Sequence, residues 1–242
     1  MNASGEGNVV NVIVVGASGF GRELLQYVCD ASARMPDVRV KGFLDDDPAA
    51  LRSVAHVMEF GLVGDTHGYD IREDDRFVVS VGDPGLRRLL AERLARRGAR
   101  FISIVHPSAY VAPTARIGDG SVVGPFASVG SHAQLAPHAL LNLYSAAGHD
   151  ARIGDFCVLS PYAVVNGGST LEDEVFMGTH ATITPNIRVG RRSKVAAGAV
   201  VYRDVPEQSL ATGNPAKPFP LGETAAGRRV NAHGGERGPP GS

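Results

Sequence analysis

The sequence predicts an α/β N-terminal domain with a Rossmann-like parallel sheet, followed by a left-handed parallel β-helix. Three observations carry this reading. Strand-like runs alternate with helical patterns over residues 9–105, a glycine loop joins the first strand to the first helix, and an apolar period of six runs unbroken from residue 111 to 201.

Residues 9–15 form a continuous apolar run, the mark of a strand buried on both faces. Residues 22–33 follow with helical spacing, placing Leu24, Leu25 and Val28 on one side. A second strand over 38–44 ends in Asp45-Asp46-Asp47-Pro48. Residues 77–81 read as a strand, 86–97 as a cationic amphipathic helix, and 101–105 as a further strand. The expected domains are 9–105 for the α/β unit and 106–219 for the β-helix, with 220–242, Gly-rich and poor in aliphatics, as a disordered tail.

Stepping by six from Val111 meets sixteen positions, all apolar and all but Ala147 larger than alanine. A composition of 43% hydrophobic residues would supply about seven by chance. A period of six suits neither a helix of 3.6 residues per turn nor an alternating strand. It suits a coil of three flat faces, 18 residues per turn, with coils stacked about 4.8 Å apart and one aliphatic pointing inward on each face. The run supplies about five turns. The next position is often glycine, as at Gly118, Gly124, Gly130, Gly148, Gly154, Gly178 and Gly190, and is expected to let the chain turn the corner.

A formal net charge of −1 argues against nucleic acid or a membrane surface as partner. No apolar run approaches the roughly 20 residues of a membrane span, and no signal pattern opens the chain. Cys29 and Cys157 give no disulfide framework, and a cytoplasmic location is expected. The 6% aromatic content, with no tryptophan, suits a core of small aliphatics.

A β-helix is a rigid post with few cavities, so its chemistry is expected between neighbouring posts. His149 stands outside the aliphatic ladder and is the best candidate for a general base toward an amine or hydroxyl. One turn further on is Gly167, whose bare backbone amide can donate to a carbonyl oxygen as charge develops there. Asp150 can hold the imidazole only if the chain turns a corner, since adjacent residues on a strand point to opposite sides. His106, His132, His138, His149 and His180 raise a metal question; His132 and His149 lie 17 apart, near one turn, but 138 to 149 is 11, 138 to 180 is 42, no tight two- or three-residue spacing appears, and no metal is expected. In the N-terminal domain, Gly16-Ala17-Ser18-Gly19-Phe20-Gly21 lies between strand and helix. Backbone amides there cradle phosphate, although the spacing is G-x-x-G-x-G. Asp45 and Asp46 end the second strand, where an acidic residue meets a ribose or base.

These residues resemble the NeuD/PglD-like sugar acyltransferases of bacterial glycan biosynthesis over residues 10–219. The resemblance is carried by VIVVGASGFGRE, FLDDD, SVGDPGLRR, the junction His106-Pro107-Ser108-Ala109, the hexapeptides, NLYSAAGHDARIGDF, and Gly213-Asn214-Pro215-Ala216-Lys217. It implies a homotrimer with acetyl-CoA, or another acyl-CoA, between adjacent β-helices, and an N-terminal domain holding the nucleotide of a nucleotide sugar. It further implies His149 as catalytic base with Asp150 behind it, Gly167 as donor to the acetyl carbonyl, and Asn142 near the acceptor. Gly178, Ala196, Ala197 and Lys217 fall on coenzyme A contacts. Phe20 stands where the family often carries His, and Val158 and Tyr162 stand where His and Gly are common. These departures are expected near the acceptor or acyl pocket.

The expected function is therefore acyl-CoA-dependent N-acylation of a nucleotide-linked amino sugar. The alternatives are an O-acyltransferase on sialic acid or an antibiotic-type sugar, a nicotinamide-dependent oxidoreductase suggested by the glycine loop, and a non-catalytic scaffold. The oxidoreductase gives the β-helix no role and lacks a Tyr–Lys pair, and the scaffold leaves His149 unexplained.

Overall fold

The computed structural model describes residues 9–35, 37–52 and 59–221. The N-terminal domain is a four-stranded parallel sheet: β1 (Val10–Val15), β2 (Val38–Leu44), β3 (Leu62–Gly64) and β4 (Asp75–Val79), ordered β3-β2-β1-β4. Helix α1 (Gly19–Ser32) follows β1, and α2 (Pro84–Arg96) follows β4. The central β1 buries Val12, Ile13, Val14 and Val15 completely, as a strand covered on both faces must. α2 starts at the Asp83 side chain, which accepts from the Leu86 N–H with Pro84 in the first turn. β3 was not legible as a strand, being three residues of edge pairing without a pattern of its own.

The β-helix follows, in parallel two-residue rungs whose partners lie 18 residues apart. The first residue of each rung points outward and the second inward. Its three faces differ in what they show outside. One face runs Ile104, Val122, Leu140, Val158, Phe176, Lys194 and is here called the docked face. The second runs Tyr110, Ser128, Ala146, Val164, Thr182, Val200, the smooth face. The third runs Arg116, Gln134, Arg152, Thr170, Arg188, the charged face. The inward ladder is buried from Val123 to Val201, joined by small inward residues two positions earlier such as Ala127, Ala133, Ala139 and Cys157.

Two local expectations are corrected. Residues 101–105 are not one strand of the α/β sheet. Phe101 bridges Phe77 there, whereas Ile104–Val105 pairs with Val122–Val123 and opens the β-helix. The division follows from burial, because Ile104 packs outward beneath α1 with Val122, Leu140 and Val158. The corner is also made differently. The left-handed residue is the third after the ladder position: Phe126, His132, His138, Tyr144, Asp150, Phe156 and Tyr162 all have φ of 56–61°. The glycines after the ladder serve close stacking instead. A Cβ at Gly154 would stand 2.7 Å from the Asp173 nitrogen of the next coil. The chain then closes with an antiparallel hairpin, Ser209–Gly213 and Ala216–Pro220, which extends the docked face. The tail expected from 220 lies, from residue 222 onward, outside the described residues.

The domains are joined along the docked face. Leu24, Leu25, Tyr27, Val28 and Ala31 of α1 share a core with Ile104, Val122, Leu140 and Val158. α2 adds a buried arginine: Arg87 donates to the carbonyls of Val79 and Val81 and, at 2.7 Å, to that of His138 on the β-helix. Burial pushes its guanidinium down to about 9, still charged at neutral pH. His138 lies between Phe101 and Phe156, ring centroids 4.6 and 4.9 Å away. Burial first and Arg87 second push its imidazole down to about 4.

The folded pKa of His138 is thus below its unfolded value of roughly 6.5, so the unfolded chain binds the extra proton between them. Its contribution is intact above about pH 6.5 and lost progressively as pH falls toward 4. Allowing for partial solvent screening, the loss is on the order of 1–3 kcal/mol. Urea midpoints at pH 7 and pH 4.5 should therefore fall further in the wild type than in His138→Phe; equal falls would contradict it.

Candidate active site

The C-terminal ends of β1, β2 and β4 open into a cleft of about 350 Å³ lined by Gly16, Ser18, Phe20, Asp45, Asp46, Thr66, Ser80 and Val81 among others. This is where an open parallel sheet offers a ligand site. Gly16 has φ of +103°, and a Cβ on Gly21 would stand 2.1 Å from the Gly16 carbonyl, so both glycines are required for the helix to start this close to the strand. Gly19 differs: a Cβ there meets nothing within 4 Å. Ser18 caps α1 without a side-chain hydrogen bond, so no cap side chain occupies the first-turn amides.

The two aspartates are more occupied than the sequence suggested. Asp45 accepts from the Ala17 N–H at 2.7 Å and from the Asp47 N–H at 2.9 Å. It ties the glycine loop to the end of β2. Asp46 accepts from the Thr66 N–H and hydroxyl and from Arg93, each at 2.8 Å. Those bonds hold its carboxyl below the usual range against the opposing effect of burial. Thr66 and Ser80 were missed by the sequence reading. The Ser80 hydroxyl lies 2.8 and 2.7 Å from the Val15 and Gly16 carbonyls, a contact only the sheet pairing creates.

His149 occupies the corner between the smooth and charged faces. Its Nδ1 lies 2.9 Å from Asp150 Oδ2, and Asp150 has φ of +59°. The corner conformation is what brings these adjacent side chains together. A carboxylate only accepts, so Nδ1 carries the hydrogen, and in the neutral ring the lone pair is on Nε2. Gly167 lies directly above. A Cβ on it would stand 2.4 Å from Nε2, and its N–H makes no hydrogen bond among the described residues. Both ring and carboxylate are exposed, so the site is a surface until something covers it.

Asn142, Gly178 and Ala196 follow one another at multiples of 18, along the corner between the docked and smooth faces. Ala197 is the next residue, and Lys217 lies on the closing hairpin opposite Thr212. Within one chain, then, the predicted residues fall into three groups: the cleft, the corner of His149 with Asp150 and Gly167, and the corner of Asn142 with Gly178 and Ala196. The two corners are separated by the width of the smooth face. Of the family departures, Phe20 lines the cleft, and Val158 is buried beneath α1. Tyr162 stands exposed in a stack of Phe126, Tyr144, Tyr162 and His180, with centroids 4.7–4.9 Å apart. Among the described residues no group of three His, Cys, Asp or Glu could hold a metal ion.

The PglD N-terminal domain family matches residues 11–94. The chain is 32% identical over 113 residues to UDP-N-acetylbacillosamine N-acetyltransferase of Bacillus subtilis strain 168, covering 47% of this chain and 50% of that protein. It superposes on the acetyltransferase domain of PglB from Neisseria gonorrhoeae FA1090, solved with acetyl coenzyme A, with a TM-score of 0.77 and 31% identity, over 88% of this chain and 100% of that one. The chain belongs to the NeuD/PglD-like sugar acyltransferase family. PerB from Caulobacter crescentus, solved with CoA and GDP-perosamine, is similar at a TM-score of 0.73 and 29% identity, over 87% of this chain and 98% of that one. The chain spans half or less of the length of the curated relatives it matches.

The contact between Gly167 and His149 gives a direct test. Gly167→Ala must displace the imidazole, because the new carbon has no room beside Nε2. Its melting temperature should stay within a few degrees of wild type, since the corner is exposed, while the His149 ring resonances in an NMR pH titration shift. Unchanged resonances would place the ring elsewhere.

Proposed function

We propose that the protein transfers an acyl group from an acyl-CoA, acetyl-CoA in the first instance, to the amino group of a nucleotide-linked amino sugar. The observation that carries this is the corner at His149: an imidazole oriented by Asp150, with the unshared N–H of Gly167 over its Nε2. The ligands of PglB and PerB and the activity of the Bacillus relative support the substrate class.

The amine attacks the thioester carbonyl while His149 Nε2 takes its proton, forming the C–N bond. The Gly167 N–H donates to the oxyanion of the tetrahedral intermediate. Collapse breaks the C–S bond, and the imidazolium returns the proton to the departing thiolate. Asp150 keeps the imidazole in the right tautomer and stabilises its charged form. The cleft at Gly16–Gly21 takes the diphosphate on the amides of the first turn of α1, with Phe20 as an apolar wall. Asp45 acts by holding that loop, and Asp46 by bracing the strand end through Thr66 and Arg93. Gly178, Ala196, Ala197 and Lys217 receive the coenzyme. The reaction belongs in the cytoplasm, where acyl-CoA is supplied.

The working unit is a homotrimer. The smooth face exposes mostly small residues, Ser128, Ala146, Val164, Thr182 and Val200, and suits close packing about a threefold axis. Three smooth faces turned inward bring the His149 corner of one copy against the Asn142–Gly178–Ala196 corner of the next. That arrangement joins groups that a single chain keeps apart.

Free thiol release from acetyl-CoA with a panel of nucleotide amino sugars tests this. The active particle should have the mass of three chains by light scattering, and His149→Ala should lower turnover by about 10²–10⁴ with the fold intact. A wild-type rate in His149→Ala, or a stable monomer, would refute it. Gly19→Val should weaken the acceptor and leave acyl-CoA affinity unchanged, because its side chain enters open space at the start of α1, beside the loop proposed for the diphosphate, and the coenzyme is assigned to the β-helix. Calorimetry with each ligand separately decides this, and equal loss of both would show the loop to be wrongly assigned.

A further inference from the structure

We infer that Glu23 selects and positions the amino group of the acceptor, in a cluster with Tyr27 and Asn142; the inference rests on the acceptor class proposed above. α1 lies along the docked–smooth corner of the β-helix. In the first coil, Asp30 Oδ2 meets His106 Nε2 at 3.1 Å. Two coils later, Tyr27 Oη lies 3.4 Å from Asn142 Oδ1. Moving toward the N-terminus of α1 therefore moves toward later coils, and the helix ends at the glycine loop. Glu23 comes between Tyr27 and that loop, four residues or roughly 6 Å from Gly19. That is about the length of one sugar ring. A hexose whose phosphates rest on the first-turn amides brings the far side of its ring beside Glu23.

The cluster has the donors and acceptors to read that position. Tyr27 is buried and its hydroxyl donates to Glu23 Oε1. Burial first, and this bond second, push the phenol up, so it remains a donor at every working pH. An exposed glutamate on a helix usually faces a cation four residues on. Here the fourth residue is Tyr27, and Glu23 forms no ion pair among the described residues. Its Oε1 is held and its Oε2 has no hydrogen-bond partner among them. Asn142 is held in the same way: Oδ1 accepts from the Leu143 N–H at 2.7 Å, leaving Nδ2 without a partner among the described residues. One oriented anionic acceptor thus stands near one oriented neutral donor. An ammonium on the ring gives Glu23 a hydrogen bond in which both partners are charged, whereas a hydroxyl at the same place brings no charge of its own. Asn142 is left to donate to a neighbouring ring oxygen. In the trimer, threefold symmetry keeps coils level, so the partner copy's corner with its general base meets Asn142 at the same height. Glu23 holds the nitrogen there; the bound ammonium releases one proton to solvent to become the attacking amine, and His149 of the partner copy takes the second during attack.

The test is calorimetry on the full chain with three kinds of probe: the nucleoside diphosphate among GDP, UDP and dTDP that the wild type binds, amino-sugar nucleotides of that base with the amine at different ring carbons, and, for the one bound best, its counterpart with a hydroxyl at the same carbon. The wild type should prefer the amino over the hydroxy sugar by about tenfold or more. Glu23→Gln keeps the acceptor for Tyr27 and removes only the charge. It should bring that ratio close to one, leave affinity for the diphosphate unchanged, and raise KM for the acceptor far more than it lowers kcat. Tyr27→Phe, which frees the carboxylate to wander, should give an intermediate ratio. Wild-type discrimination in Glu23→Gln overturns the inference alone, as does a wild type that binds both sugars equally. A wild type that binds no nucleotide sugar overturns the proposed function and this inference with it.

Discussion

Residue n lies beneath residue n + 18. This stacking constraint, set by parallel hydrogen bonds such as Val122 N–H to Ala139 at 2.8 Å and Leu140 N–H to Cys157 at 2.8 Å, governs the rest of the molecule. It aligns the inward aliphatics into ladders, which is why Leu141, Leu159 and Met177 form one buried column. It also aligns the corners. His149 meets Gly167 for the same reason that Leu141 meets Leu159. Packing and chemistry are two columns of one lattice, and a side chain at 167 would be excluded by the imidazole as a clash in the core is excluded by its neighbours.

The corners carry a local cost that the stack offsets. Non-glycine residues in the left-handed region are unfavourable by about 1 kcal/mol or more each. Here they recur at every turn and are overdetermined by coils above and below. Several are aromatic or histidine and stack on their counterparts, as Tyr144 does on Tyr162 with rings 5° from parallel. Asp150 uses the same strained conformation for a different end, folding its carboxylate back onto His149. An imidazole is thereby oriented without a cavity to hold it.

The α/β domain is fixed to this post rather than tethered to it. α1 buries its apolar side against the docked face, and Arg87 joins the end of β4 to the His138 carbonyl. The same strand end lines the cleft through Ser80 and Val81. Cleft and β-helix are thus held in one geometry, and the glycine loop, pinned by Asp45, presents its amides at a set height along the coils. The α/β domain thus covers one face of the post, while His149 stands on the opposite corner.

The sequence by itself determined the β-helix, because a period of six over sixteen positions leaves a stacked three-faced coil as its solution, and the inward column is a matter of counting. Counting likewise placed Gly167 over His149, and the loop between strand and helix announced the cleft. What lay beyond it depended on contacts between residues far apart in the chain. Residues 101–105 look like one strand, yet they divide, because Ile104 is claimed by the surface beneath α1. Asp45 and Asp46 look like free carboxylates, yet the Ala17 amide, Thr66 and Arg93 occupy them, partners set 20 to 47 residues away by sheet order. Tyr27 reaches Glu23 within α1, and only docking to the β-helix brings the same hydroxyl to Asn142. Periodic burial is a property of the chain and is legible along it; the pairing of polar groups is a property of the packed interface, and tertiary structure alone decides it.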